Sequence, residues 1–85
     1  LQITNNNALV HIDGFANLTH ADGGLAISGN NALTNLDGLA SLTSVGEVHI
    51  YSNSSLCRSL VDTLMDMLED LGWSNAADIF DNADC

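Results

Sequence analysis

Proline and lysine are both missing from this chain, and Arg58 is the one basic side chain of the Lys/Arg type against eleven acidic residues. The formal charge of -10 argues against nucleic acid or an anionic membrane as a partner, because phosphate backbones and anionic lipid surfaces repel such a molecule. An electrostatic partner is expected to be cationic or a metal ion. Aromatic rings are scarce, with one Trp, one Tyr and two Phe, so a core has to come from Leu, Ile, Val and Ala. No apolar run approaches the length of a membrane span, and the opening LQITNNN has neither the basic end nor the apolar stretch of a signal peptide. A first residue other than methionine reads as a mature or excised piece.

What is present fits a small globular unit. The 85 residues are 46% hydrophobic, enough for one modest core that profits from a covalent staple. Seven of the eleven acids lie between Asp62 and Asp84, so the C-terminal third differs in design from the rest. Cys57 and Cys85 suit either an extracellular disulfide or two reduced thiols on spacing alone.

The main signal is repetition. LQITNNNAL at Leu1, LAISGNNAL at Leu25 and VHIYSNSSL at Val48 align, with starts separated by 24 and then 23 residues. Ile3, Ile27 and Ile50 fall in one column, Asn6, Asn30 and Asn53 in another, and Leu9, Leu33 and Leu56 in a third. A period of this length signals a solenoid whose units bury their apolar faces only against one another. The L-x-I alternation predicts a short strand in each copy, and stacking predicts a parallel sheet. The Asn column is assigned the task of satisfying backbone groups that turn inward after each strand. Apolar steps at Ile12, Phe15, Leu18 and Ala21, matched by Leu36, Leu39, Leu42 and Val45, supply the remaining walls, and Asp13-Gly14 and Asp37-Gly38 mark tight turns.

A fourth copy lies at the end. ADIFDNADC puts Ala77, Ile79 and Asn82 in the same columns and Cys85 in the leucine column. Because Cys57 directly follows Leu56, the two cysteines are expected at nearly the same point on adjacent coils, and a Cys57–Cys85 disulfide is predicted. Between these strands, SLVDTLMDMLEDLG predicts an amphipathic helix over about 60–71. Ser59 and Asp62 read as a capping box, Leu60, Leu64, Leu68 and Leu71 lie at helical spacing, and Gly72 is the stop. Trp73 is expected to pack back beneath the helix, and Met65 and Met67 read as core. The expected architecture is therefore an α/β repeat solenoid: repeats over 1–56 (1–24, 25–47, a third starting at 48), then a cap over 57–85 with the helix and a last strand at about 77–80.

L-x-I-x-x-N-x-x-L, LDGLASLTSV and the terminal LCRSLVDTL…DNADC resemble the receptor L-domain type of leucine-rich repeat. In particular the chain is similar to the secreted or cell-surface microbial forms that end in a disulfide-closed cap. The resemblance covers essentially the whole chain. It implies a right-handed coil with a four-stranded parallel sheet, an extracellular setting, and a role in binding or scaffolding without catalytic residues. Two departures stand out: Ala21 occupies the place of Val45, and the final strand is unusually acidic.

No catalytic constellation emerges from the residues, and no cofactor is expected. His11, His20 and His49 lack partners at zinc-ligand spacing, and no nucleophile elbow or phosphate-cradling loop is present. Asp78, Asp81 and Asp84 form a candidate calcium cluster, with a solvated acidic end as the plainer explanation. Asn17 in NLT is the candidate glycosylation site in a eukaryotic secretory route, since Asn53 in NSS belongs to the inward column. On the outward face of the sheet, His49 is expected beside Asp78 and Tyr51 beside Phe80, which gives one candidate ligand-binding patch. Two functions are compatible with this: a module recognising protein or glycan, as part of a longer ectodomain, or a structural spacer whose uncapped N-terminal edge pairs with neighbouring subunits.

Overall fold

In the computed structural model, which describes residues 1–85, seven regular elements follow in order. They are β1 (Gln2–Thr4), β2 (His20–Ala21), β3 (Leu25–Ser28), β4 (Ser44–Val45), β5 (Val48–Tyr51), α1 (Arg58–Asp70) and β6 (Ala77–Phe80). Strands β1, β3, β5 and β6 form a four-stranded parallel sheet in that order. The isoleucine column holds throughout: Ile3 pairs with Ile27, Ile27 with Ile50, and Ile50 with Ile79. One face of each strand carries the isoleucine column and the other faces outward, so a slip of one residue would expose every isoleucine. Alternation thus locks the register.

Each return path carries a short 3-10 turn, Asp13–Phe15 in the first and Asp37–Leu39 in the second. Backbone bonds join the two paths, including Thr34 N–H to the Val10 carbonyl at 3.1 Å and Thr43 N–H to the Thr19 carbonyl at 2.8 Å. The paths also contribute a second sheet of two strands, β2 beside β4, which periodicity had not suggested. Their approach is closest at Gly38, where a Cβ would run into the backbone carbonyl of Ile12. Gly14, one repeat earlier, has open space in the same position.

Seventeen buried apolar residues make a single core. Burial is deepest where a strand has neighbours on both sides: Ile27 and Ile50 are 0% exposed, Ile3 on the β1 edge is buried at 5%, and at the other edge Ile79 is only half-buried and Ala77 is exposed. The same gradient affects the first repeat, where Leu9, Phe15 and Leu18 are half-buried rather than fully inside.

Asn30 and Asn53 are fully buried and bonded as a ladder. The side-chain N–H of Asn30 donates to the Ile3 carbonyl at 2.8 Å, that of Asn53 to Ile27 at 3.0 Å, and that of Asn82 to Ile50 at 3.0 Å. Each side-chain oxygen accepts the backbone N–H of the preceding Asn: Asn6 to Asn30 at 3.0 Å, Asn30 to Asn53 at 3.1 Å, and Asn53 to Asn82 at 3.4 Å. Asn6 departs from the expected inward role, because it is exposed and its amide donates to its own strand, at Thr4. With no stacked strand on that side, it has no more distant carbonyl to reach. Before every column Asn stands a residue with left-handed backbone: Asn5, Gly29, Ser52 and Asp81, with φ between 54° and 68°. This bend turns the next side chain inward.

The helix starts at Arg58 rather than Leu60, and the expected capping box does not form. Its N-cap is Cys57, with no side-chain cap bond. The free N–H groups of the first turn are met by distant backbone instead: Arg58 donates to the Ala83 carbonyl at 2.8 Å and Ser59 to Cys85 at 3.0 Å. Asp62 pairs with Arg58 at 3.2 Å. At the other end Gly72 (φ 93°) closes a Schellman motif, in which Trp73 N–H donates to Leu68 and Gly72 N–H to Glu69, both at 3.0 Å. The disulfide joins Cys57 to Cys85 across 28 residues, and no cysteine is free. It ties the start of the helix to the end of the last repeat.

Candidate functional site

Outward positions on the four strands run Gln2 and Thr4, Ala26 and Ser28, His49 and Tyr51, Asp78 and Phe80. The register places Ala26 beside His49 and His49 beside Asp78, and likewise Ser28 beside Tyr51 and Tyr51 beside Phe80. The sheet face is therefore low over β3 and tall over β5 and β6.

The two aromatic rings stack with centroids 4.8 Å apart and planes 6° from parallel. Phe80 remains 50% exposed. Such a pair adds about 0.5–1.5 kcal/mol beyond its burial and stiffens both rings in one orientation. Beside it, His49 Nδ1 lies 3.0 Å from Asp78 Oδ2, and its Nε2 lies 3.4 Å from Glu47 Oε2. With both ring nitrogens engaged, the imidazole is held between two carboxylates, and its side chain is 35% exposed. The result is a wall with an aromatic half and a polar half.

Next to the wall, small side chains leave an open depression of about 330 Å³ lined by Gln2, Gly24, Ala26, Glu47 and His49, among others. Sequence reasoning found the four wall residues but missed Glu47 and the floor at Ala26. The available signal was the pair of small residues at the outward positions of β3, between larger ones on β1 and β5. Trp73 lies elsewhere: its Nε1–H donates to the Gly46 carbonyl at 2.8 Å, under the return path.

The calcium cluster does not assemble. No group of three or more His, Cys, Asp or Glu side chains is arranged to hold a metal ion. Asp78 is committed to His49 on the sheet face, Asp81 occupies the left-handed bend after β6, and Asp84 lies beyond the Cys57–Ala83 bridge. These three positions follow the turning of the chain instead of converging on a point. Asn17 is exposed, in line with its candidacy for modification, while Asn53 is sealed inside. His11 lies 3.5 Å from Asp13, and His20 bonds Thr19 at 2.8 Å, each a local contact away from the patch.

Comparison with family models, with curated proteins and with solved structures finds no match to this chain. The disulfide points to a non-cytoplasmic environment, and no helix is long and apolar enough to cross a membrane.

Proposed function

We propose that this chain is a leucine-rich-repeat-type solenoid of the receptor L-domain kind, acting outside the cell as a non-enzymatic recognition module for protein or glycan. The repeat reading is supported by isoleucine and asparagine columns that coincide in sequence and in space, with each copy covering the next. The observation that carries the binding role is the exposed Tyr51–Phe80 stack beside the Glu47–His49–Asp78 cluster.

An aromatic surface flanked by hydrogen-bonding groups suits a ligand with one apolar face and several hydroxyl or amide groups, which describes both a sugar and a peptide segment. Aromatic anchors concentrate binding energy at interfaces. The stacked rings and the bonded imidazole already hold one another, which limits the rotamer freedom to be lost on contact.

The test is a screen of immobilised glycans and surface proteins with the wild-type chain and a Tyr51→Ala/Phe80→Ala double variant. Circular dichroism and thermal melts confirm that the variant is folded. Ligands retained by the wild type and weakened at least tenfold in the variant support the reading. Unchanged binding of every retained ligand removes the patch from any role in recognition.

A further inference from the structure

The last strand also borders a groove on the side away from the sheet-face patch. No strand pairs with the far edge of β6. The Ala76 and Phe80 carbonyls accept bonds from Val48 and Ser52 of the β5 side, so the intervening alternation directs the backbone groups of Ala77 and Ile79 away from the sheet. An edge of this kind is a template for another extended chain.

Alongside that strand, α1 presents Asp62, Met65, Asp66 and Glu69 in one stripe, and with Trp73 and Ile79 they line an open groove of about 440 Å³. Its floor is apolar and its helical rim is acidic. Ile79 belongs to a column whose inner members are fully buried, yet here it is only half covered. Of the three carboxylates, only Asp62 has a cationic neighbour, Arg58. The chain as a whole carries -10 with a single Lys/Arg side chain, so a second copy would bring like charge to this rim.

We propose that the groove between α1 and β6 takes an extended basic peptide segment, which adds as a fifth strand on the free edge of β6. Its apolar side chains lie on Met65, Trp73 and Ile79, and its lysine or arginine side chains reach Asp62, Asp66 and Glu69. Main-chain bonds to the Ala77 and Ile79 edge supply affinity, and the carboxylates select for positive charge. Trp73 offers a ring face to a cation. This site is separate from the sheet-face patch, because Asp78 and Phe80 point to the other side of the same strand.

Trp73 is the single tryptophan, so its emission reports occupancy. The probe is an acetylated, amidated peptide about six residues long, with valine and lysine at successive positions of one face and threonine between them, so that both residue types face α1. It is titrated into the intact, disulfide-bonded chain, with calorimetry as a second readout that does not depend on fluorescence. Expected results are saturable binding, an affinity about tenfold weaker in Asp66→Asn/Glu69→Gln, and a several-fold loss on raising salt. N-methylation of alternate peptide nitrogens should abolish binding by removing the donors a strand needs. The proposal is overturned by absence of calorimetric binding, by equal binding of the same peptide with glutamate in place of lysine, or by full affinity of the N-methylated peptide. It is also overturned if sedimentation shows that the chain dimerises through this groove.

Discussion

Replacing Asn53 by alanine tests the architecture at its most demanding point. Asn53 is 0% exposed, and its carboxamide makes four contacts: donation to the Ile27 carbonyl and to Asn82 Oδ1, both at 3.0 Å, and acceptance from Asn30 backbone N–H at 3.1 Å and Asn30 Nδ2 at 3.3 Å. After truncation, Asn30 Nδ2 keeps the Ile3 carbonyl and Asn82 Oδ1 keeps the Asn53 backbone N–H. The buried Asn30 N–H keeps no acceptor. An orphaned buried donor costs about 1–3 kcal/mol, and the lost bond to Ile27 adds about 1 kcal/mol. The expected destabilisation is therefore roughly 3 kcal/mol, a large part of the stability of a domain this size. Asn6→Ala, at the matching but exposed position, loses one bond to Thr4 and should cost under about 0.5 kcal/mol. Denaturant unfolding of both variants, with the disulfide intact, measures the difference, and the melting temperature of Asn53→Ala should fall by roughly 10–20 °C. Equal losses for the two variants would refute the ladder as a source of stability.

Three further outcomes are expected. Gly38→Ala should destabilise by about 1–3 kcal/mol through collision with the Ile12 carbonyl, while Gly14→Ala, facing open space, should be neutral or slightly stabilising in the same unfolding assay. Removing the Cys57–Cys85 link by Cys57→Ser/Cys85→Ser should cost roughly 3–4 kcal/mol for a loop closed across 28 residues, seen as a lower denaturant midpoint. Ser52→Val should lose about 1–2 kcal/mol, because a β-branched residue resists φ of 57°. Ser54→Val, exposed and outside that left-handed column, should change stability little by comparison.

Much of the sheet was legible because strand identity and register depend on short-range alternation and on a repeat period, both of which are properties of a linear string. The columns of Ile3, Ile27, Ile50 and Ile79 and of Asn30, Asn53 and Asn82 follow directly, and so does the placement of Cys57 near Cys85. The pairing of His49 with Asp78 and Tyr51 with Phe80 follows from the same register. The helix cap was misread for an instructive reason: Ser59 and Asp62 have the right local spacing, but carbonyls of Ala83 and Cys85 already occupy the first-turn donors. The candidate calcium cluster does not assemble for a different reason: closeness in sequence among Asp78, Asp81 and Asp84 is not convergence, and the solvated acidic end was the plainer reading.

The sequence by itself determined how the four strand copies align and which columns point inward in the middle of the sheet, and it brought the two cysteines to the same point, since each of these is set by periodicity. Only the tertiary structure decided what the finished surface offers. The depression over Ala26, the contact of Gly38 with Ile12, and the acidic groove between α1 and β6 all depend on how separate elements pack together. No local pattern encodes the gap between two elements, because that gap is fixed by the volumes and backbone bonds of everything holding them apart.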